Sequence, residues 1–295
     1  MRERVLRIGK TEPLTAIASI PDNIKSKNTA FIIVNSGVMH HIGTCRMSVR
    51  IARELAEKGH LALRFDFSGI GDSAPRSGTQ SFTESAALEI KEIMDYLQKS
   101  KKIDRFTLMG LCSGADAIYE SALQDDRISA LCQIDPYCYR TPRWKYNYWL
   151  SRCTSLNHWV NYIKYRTGLK KGTSTGSLDE DNVELPTYIR DFPPRKEVSI
   201  GLNKLFDRDM KLLALFTSGQ PKHYNYTSQF EESMPDVDFK DHFSTTYYPY
   251  CTHIMSEPDQ QSIVIDRIVD WVEINRQPVV KSINANQYPE VAVVG

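Results

Sequence analysis

Residues 106–117 constrain the fold of this chain more than any other stretch of the sequence. They read Phe-Thr-Leu-Met-Gly-Leu-Cys-Ser-Gly-Ala-Asp-Ala, so a short apolar run enters a turn in which Gly110 and Gly114 flank Cys112. Small flanking residues at this spacing permit a sharp strand-to-helix turn that holds the central side chain up at the end of the strand. A Cys in a glycine-rich turn can also serve simply as a small apolar residue. The order of the other elements decides between these two interpretations.

The rest of the chain alternates between strand and helix patterns. Residues 4–20 alternate loosely, as in paired antiparallel strands at the edge of a sheet. Ser81 and Glu84 form a capping box that opens a helix. The apolar patterns predict strands at 30–34, 60–67, 106–109, 128–134, 211–217 and 243–250, and helices at 47–58, 81–100, after Cys112 and from Ser256. Alternation with such short connections predicts an α/β fold, in which a mainly parallel sheet has helices on both faces.

The alternation stops after Asp135 and Pro136, and residues 137–205 contain no clear strand. From Arg140 to Lys171 the chain has eight Arg or Lys residues and no Asp or Glu, interleaved with Trp and Tyr. Residues 172–184 are acidic and rich in Gly, Ser and Thr, which is typical of a flexible loop. We interpret 137–205 as a cap inserted into a core formed by 1–136 and 206–276. Residues 277–295 then form a C-terminal tail.

Composition excludes several classes of partner. A net charge of +1 leaves no global field to attract a charged macromolecule. The six cysteines form neither a CxxC pair nor a regular framework, so we expect mostly free thiols. The first residues lack the apolar core of a signal peptide, and no apolar run approaches about 18 residues. These features favour a cytoplasmic protein without nucleic-acid or membrane partners.

Two loops carry a resemblance to a known family. One contains Asn35-Ser-Gly and Gly43-Thr-Cys-Arg46, and the other ends the stretch Leu63-Arg-Phe-Asp-Phe-Ser-Gly-Ile-Gly-Asp-Ser73. With the turn at Cys112, these loops make the chain resemble the α/β-hydrolases, most closely the hydrolases associated with exosortase and exopolysaccharide systems, whose members also carry Cys in this turn. The resemblance covers residues 5–136 and 211–275. It implies an eight-strand-type sheet with a helical cap after strand 6 and no cofactor, but it does not fix the substrate.

The resemblance also implies a nucleophile and a base. A thiolate, not a thiol, is the attacking species, so Cys112 needs a nearby base or a helix N-terminus. The α/β-hydrolase base follows the last strand, which corresponds to His253 in Cys-Thr-His-Ile-Met-Ser. Ser113 is an alternative nucleophile, but it lies off the centre of the motif. We therefore predict Cys112 and His253 as the nucleophile and the base.

The acid is where the sequence departs from the family pattern. The family usually places an Asp shortly after the seventh strand, where this chain reads Ser-Gly-Gln-Pro-Lys-His-Tyr instead. Asp135, after the sixth strand, is an alternative position in this fold, although it could equally cap the turn before Pro136. A third interpretation needs no acid, because Cys ionises more readily than Ser and Gln220 could orient His253. Of these interpretations we prefer the Cys–His dyad.

Further residues are predicted around the nucleophile. An oxyanion needs two donors, for which the backbone N–H groups of Ser113 and Val38 are our candidates. His40 and His41 lie near the same loop and are candidate substrate contacts. We expect Asp66 and Asp72 to hold their loop through local backbone hydrogen bonds. No metal site is predicted, because the His and Cys residues lack spacings such as HExxH or CxxC.

These residues suggest an acyl-transfer enzyme with a Cys112 acyl-thioester intermediate, either a thioesterase or esterase-type hydrolase or an acyltransferase. The basic aromatic cap, with Arg143 and Trp144, suits an anionic substrate such as an acyl group on coenzyme A or on a carrier protein. The plainer interpretation of the cap is a lid with solvated basic side chains. The alternative function is a catalytically silent hydrolase-fold protein that binds a ligand or partner through its cap. The oligomeric state stays open.

Overall fold

The computed structural model describes residues 1–25, 28–154, 190, 192–219 and 223–275. Its centre is an eight-stranded sheet with the strand order β1-β2-β4-β3-β5-β6-β7-β8. β2 pairs antiparallel with β1 and β4, and every pairing from β4 to β8 is parallel. The strands are β1 (Arg2–Ile8), β2 (Leu14–Ile20), β3 (Thr29–Val34), β4 (Leu61–Phe65), β5 (Arg105–Leu111), β6 (Ile128–Ile134), β7 (Lys211–Thr217) and β8 (Phe243–Tyr248).

Helices cover both faces of the sheet, which confirms the predicted α/β class. They are α1 (Met47–Glu57), α2 (Phe82–Lys101), α3 (Ser113–Gln124), α4 (Pro142–Thr154), α5 (Arg195–Phe206), α6 (Gln229–Ser233) and α7 (Pro258–Ile274). The capping box at the start of α2 is present as predicted: the Ser81 hydroxyl accepts from the Glu84 N–H, and the Glu84 carboxylate accepts from the Ser81 N–H. α7 begins at Pro258, and its N-cap is Glu257 rather than the predicted Ser256.

Two hydrophobic clusters lie on opposite faces of the sheet. Successive residues of β3 alternate between them, with Ile32 in one cluster and Phe31 and Ile33 in the other. The first cluster packs the strands against α2, α3 and α5, and the second packs them against α1 and α7. This period of two explains why the central strands read as continuous apolar runs, because a strand buried on both faces has no solvent side.

The chain between β6 and β7 contains α4 and α5 in its described part. α5 falls within the range predicted for the cap, yet it buries Val198, Leu202 and Leu205 in the first hydrophobic cluster. It therefore covers the sheet like the other crossover helices. Residues 155–189 and 191, which include much of the basic aromatic segment, lie outside the described residues, as does the tail from 276. The boundaries of the cap stay a prediction.

Candidate active site

The turn between β5 and α3 has the tight geometry that its glycines predict. Cys112 has φ 53° and ψ −116°, in a backbone region that a residue with a side chain rarely adopts. A Cβ on Gly110 would lie 2.3 Å from the Gly114 carbonyl carbon, and a Cβ on Gly114 would lie 2.8 Å from the Asn35 oxygen. The backbones of strand, turn and neighbouring loop thus approach too closely for any residue but glycine. Such strain persists where the surrounding structure holds a functional side chain in place.

His253 and Asp135 are joined across the site. The imidazole Nδ1 lies 2.6 Å from Asp135 Oδ2, although 118 residues separate the two positions. Asp135 follows β6 and His253 follows β8, so the carboxyl ends of parallel strands bring them together. Our preferred dyad has no carboxylate, whereas here Asp135 lies within hydrogen-bond distance of the imidazole, so the geometry favours Asp135 as the acid; its catalytic role stays a prediction. Gln220, the residue that we proposed to orient His253, lies outside the described residues.

Thr217 fixes the Asp135 carboxylate. Its backbone N–H donates to Oδ1 and its hydroxyl donates to Oδ2, both at 2.7 Å. Asp135 itself has φ 51°, and its N–H continues the ladder to the Leu215 carbonyl at 2.8 Å. The carboxylate thus has two donors from the end of β7 besides the imidazole. These contacts hold it in one orientation toward His253.

The electrostatics of His253 follow from its neighbours. The hydrogen bond to Asp135 first, and the nearby Cys112 side chain second, raise the pKa of His253 from 6.5 to about 9, against the opposing effect of burial. The imidazole is therefore protonated at neutral pH. Because Nδ1 is held by Asp135, Nε2 remains for proton exchange near Cys112. This arrangement suits a thiolate–imidazolium pair.

Close approach also explains why residue 219 is a glycine, a position that our sequence analysis did not single out. A Cβ there would lie 2.3 Å from the His253 Cβ. The preceding Ser218 donates from its N–H and its hydroxyl to the Cys251 carbonyl, at 2.9 and 2.8 Å. The loops after β7 and β8 are thereby held together, which positions His253.

The candidate oxyanion residues lie in two adjoining segments. Ser113 is buried at the start of α3, and its hydroxyl accepts a 2.7 Å hydrogen bond from the Gly37 N–H. This bond joins the loop after β3 to the helix that follows Cys112, and it engages the hydroxyl that we considered as an alternative nucleophile. Val38, of which only the backbone N–H was proposed, is 90% exposed. The roles of the Ser113 and Val38 N–H groups stay predictions.

His40 and His41 form a cluster with Asp66 and Asp72. The fully buried Asp66 carboxylate accepts from the His41 N–H, from His41 Nδ1 at 2.7 Å and from the Asp72 N–H at 3.0 Å. Burial alone would raise the pKa of Asp66, but the hydrogen bonds from His41 and Asp72 outweigh it and lower that pKa. His40 Nε2 contacts the Asp72 carboxylate at 3.1 Å. The predicted local role is thus confirmed for Asp66, which accepts from the Asp72 N–H, whereas the Asp72 carboxylate contacts His40 of the neighbouring loop instead.

The four side chains include the ligand types of a cation site, since one atom from each lies within 4.8 Å of all the others. The cluster matches no metal-binding sequence motif, because its residues come from two separate loops, those after β3 and β4. However, His41 Nδ1 and Asp66 Oδ2 are only 2.7 Å apart. Two ligands of one tetrahedral zinc would be about 3.4 Å apart. We interpret the cluster as a hydrogen-bond network that joins the loops after β3 and β4.

The predicted substrate contacts in α4 have structural partners. Trp144 is buried and stacks on Tyr148 at 4.8 Å, with the Arg140 guanidinium 4.7 Å from its ring. Arg143 lies over the Tyr226 ring at 4.5 Å and contacts Glu232 at 3.3 Å. These contacts attach α4 to the segment around α6. A substrate role for Arg143 or Trp144 stays a prediction.

One ion pair beside the site was missed at the sequence level. Arg190 donates from Nε and Nη2 to the two carboxylate oxygens of Asp116, both at 2.6 Å. Asp116 belongs to the first turn of α3, and its N–H donates to the Cys112 carbonyl at 3.1 Å. An Asp in the first turn of the helix after Cys112 was the available signal, but nothing in the sequence indicated which cation would pair with it.

Comparisons with known proteins agree on the fold. No family model matches the chain. A stretch of 84 residues is 34% identical to part of the uncharacterized protein YcjY of Escherichia coli K12. The matched stretch covers 27% of this chain and 27% of YcjY. No described helix is long and apolar enough to cross a bilayer.

Solved structures match over nearly the whole chain at low identity. The carboxylesterase CesB of Bacillus subtilis has a TM-score of 0.57 at 15% identity, covering 92% of both chains. Est1E of Butyrivibrio proteoclasticus has a TM-score of 0.54 at 16% identity, covering 92% of this chain and 98% of its own. A serine hydrolase without lid from Xanthomonas campestris has a TM-score of 0.54 at 14% identity, covering 94% and 98%. The chain described here has the α/β-hydrolase fold.

Proposed function

We propose that this protein is an esterase- or thioesterase-type hydrolase in which Cys112 takes the place of the usual serine. The observation that carries the proposal is the Asp135–His253 hydrogen bond beside a strained Cys112 at the strand-to-helix turn. The names of the structural neighbours, which include carboxylesterases and a serine hydrolase, agree with ester hydrolysis. The resemblance of the sequence to the exosortase-associated hydrolases is likewise part of this proposal.

The reaction follows from the positions of these groups. Cys112 Sγ forms a bond to the acyl carbonyl carbon, and the C–O or C–S bond of the substrate breaks. The leaving alkoxide or thiolate takes the proton from His253 Nε2. Water then adds to the acyl thioester and gives a proton to His253, the C–Sγ bond breaks, and a carboxylic acid leaves. Asp135 stabilises the imidazolium in both steps.

The acceptor and the carrier are finer parts of the proposal. An amine or alcohol in place of water would make the protein an acyltransferase, through the same Cys112 thioester. A coenzyme A or carrier-protein thioester suits the basic composition of residues 140–171. The alternative of a catalytically silent binder was motivated by the missing acid after β7, and the Asp135–His253 hydrogen bond supports the enzyme instead.

The test measures the reactivity of each cysteine by mass spectrometry. Iodoacetamide is applied to the wild type and to His253→Ala, and adducts are counted over time. The exposed Cys45 and Cys153 are internal controls, and Cys112 is only half-buried. We expect Cys112 to react faster than Cys45 in the wild type and to lose this advantage in His253→Ala.

A second measurement shows whether the thiol takes up an acyl group. The protein is mixed with p-nitrophenyl butyrate, quenched in acid and digested. We expect a butyryl adduct on Cys112 and p-nitrophenol release that is lost in Cys112→Ala. If Cys112 reacts no faster than Cys45 and carries no acyl group, the proposed function is wrong.

A further inference from the structure

The Arg190–Asp116 pair lies against both segments that build the candidate site. Asp116 is four positions after Cys112, and Arg190 lies over the ring of Tyr137 at 5.2 Å, two positions after Asp135. The ring of Phe192 lies 5.0 Å from the same guanidinium. Arg190 is also close enough to Cys112 for the two groups to interact electrostatically. A positive charge is thus placed next to the segments that carry Cys112 and Asp135.

Arg190 is held as a preorganised donor. Its Nε and Nη2 are occupied by Asp116, and the rings of Tyr137 and Phe192 both pack against it, so the side chain has one fixed orientation. Within the described residues Nη1 makes no hydrogen bond. Burial raises the pKa of Asp116 to about 6 even with Arg190 beside it, so the pair is charged at neutral pH. A guanidinium fixed by one carboxylate in this way can offer its remaining N–H groups to another anion.

The position of Arg190 indicates which part of a substrate would carry that anion. In a coenzyme A or carrier-protein thioester, the whole pantetheine arm separates the phosphates from the reacting carbon. A group that meets Arg190 beside Cys112 therefore belongs to the acyl part of the substrate. The anion that an acyl chain most simply carries is a second carboxylate.

We propose that Arg190 is a specificity-determining residue that selects acyl groups with a terminal carboxylate, as in the half-esters or half-thioesters of short dicarboxylic acids. This inference rests on the proposed hydrolase function and names its substrate class. The alternative is that the pair only attaches residue 190 to α3, in which case its loss would affect all substrates alike.

The test compares two thioesters that differ in one group. S-ethyl glutarate monothioester and S-ethyl thiovalerate have acyl chains of equal length, ending in a carboxylate and a methyl group. We expect the wild type to have the higher kcat/KM for the glutarate compound. Arg190→Gln should lower this preference about 10-fold or more, because a charge-assisted hydrogen bond is lost. Arg190→Lys should retain part of it.

Arg127 supplies a matched control. It also forms a forked ion pair with an aspartate, Asp125, and its guanidinium carbon lies 5.8 Å from the centre of the Phe106 ring. However, Arg127 lies at the amino ends of the central strands, whereas the candidate site lies at their carboxyl ends. Arg127→Gln should leave the preference unchanged. Equal kcat/KM for both thioesters in the wild type, or an equal fall for both in Arg190→Gln, would overturn the inference.

A binding measurement separates this inference from the proposed function. Titration calorimetry of Cys112→Ala with the same two thioesters reports recognition without turnover. We expect the glutarate compound to bind more tightly and Arg190→Gln to abolish the difference. If the glutarate compound binds in this way but the wild type cleaves neither thioester, the hydrolase proposal fails and the carboxylate site stands. If S-ethyl thiovalerate, which has no carboxylate, binds as well as the glutarate compound, the carboxylate site is wrong.

Discussion

His253 Nδ1 lies 2.6 Å from Asp135 Oδ2, and this single contact joins the loops that follow β6 and β8. Between them runs β7, whose last residue, Thr217, holds the same carboxylate through its N–H and its hydroxyl. The orientation of the imidazole therefore depends on three neighbouring strand ends.

Removing the charge of Asp135 should abolish most of the activity. In Asp135→Asn the imidazole loses the acceptor that fixes its tautomer, so we expect kcat/KM to fall by at least about 100-fold. Thr217→Val, which removes one donor to the carboxylate, should cost about 10-fold or less. Steady-state kinetics on one ester give both values.

Thr107 provides the control for the threonine variant. It is buried in β5 like Thr217 in β7, but it lies toward the opposite end of the sheet. Thr107→Val should leave kcat/KM unchanged. Full activity in Asp135→Asn would restore the Cys–His dyad as the working unit.

The raised pKa of His253 predicts a limit at alkaline pH. The imidazolium gives its proton to the leaving group, so kcat/KM for an alkyl ester should fall as pH rises through about 9. Because the Asp135 bond raises this pKa, Asp135→Asn should move the descending limb to lower pH. The measurement is a pH profile from 6 to about 10.5 for both proteins. If kcat/KM declined at the same alkaline pH in both proteins, the assignment of this pKa to His253 would be contradicted.

The same shift predicts a pH-dependent stability. A His whose pKa is raised from 6.5 to about 9 on folding contributes stability that is fully present below 6.5 and is lost as pH rises through 9. The difference in free energy of unfolding between wild type and Asp135→Asn should therefore shrink over this range. Urea denaturation at a series of pH values measures it. A difference that stays constant would show that His253 contributes nothing to it.

Ser113 and Cys112 should differ sharply on substitution. Cys112→Ala should lose all activity above background. Ser113→Ala leaves the Gly37 N–H without its acceptor, so we expect a stability loss of about 1–3 kcal/mol and a partial loss of activity. The butyryl adduct should still form on Cys112 in Ser113→Ala. A butyryl adduct on Ser113 instead of Cys112 in the wild type would point to Ser113 as the nucleophile.

The turn should tolerate no side chain at Gly110. The added Cβ meets backbone atoms of Gly114 at 2.3 Å, and backbone cannot move aside cheaply. We expect Gly110→Ala to lower the free energy of unfolding by about 3 kcal/mol or more. Gly37→Ala is the comparison, because it has no neighbour within 4 Å and only the positive φ of 52° to oppose it, which costs about 1 kcal/mol. An equal loss in both variants would contradict this account of the turn.

The assignment of His253 came from the resemblance to the α/β-hydrolases. The sequence by itself determined the order of strands and helices and the turn at Cys112. These two follow from local features: apolar runs, a capping box, and glycines at fixed spacing around one residue. Such signals lie within a few residues of each other, so they can be recognised before the chain is folded.

Only the tertiary structure decided which groups work together. Asp135 read equally as a turn cap or as the acid, and the strand order β6-β7-β8 brought it against His253. Arg190 and Asp116 are 74 residues apart, and His41 and Asp66 are 25 apart. Side-chain pairs of this kind leave no periodic pattern, because their separation along the chain is set by the crossovers between strands. Their partners become known when the parallel sheet brings the loops at one edge together.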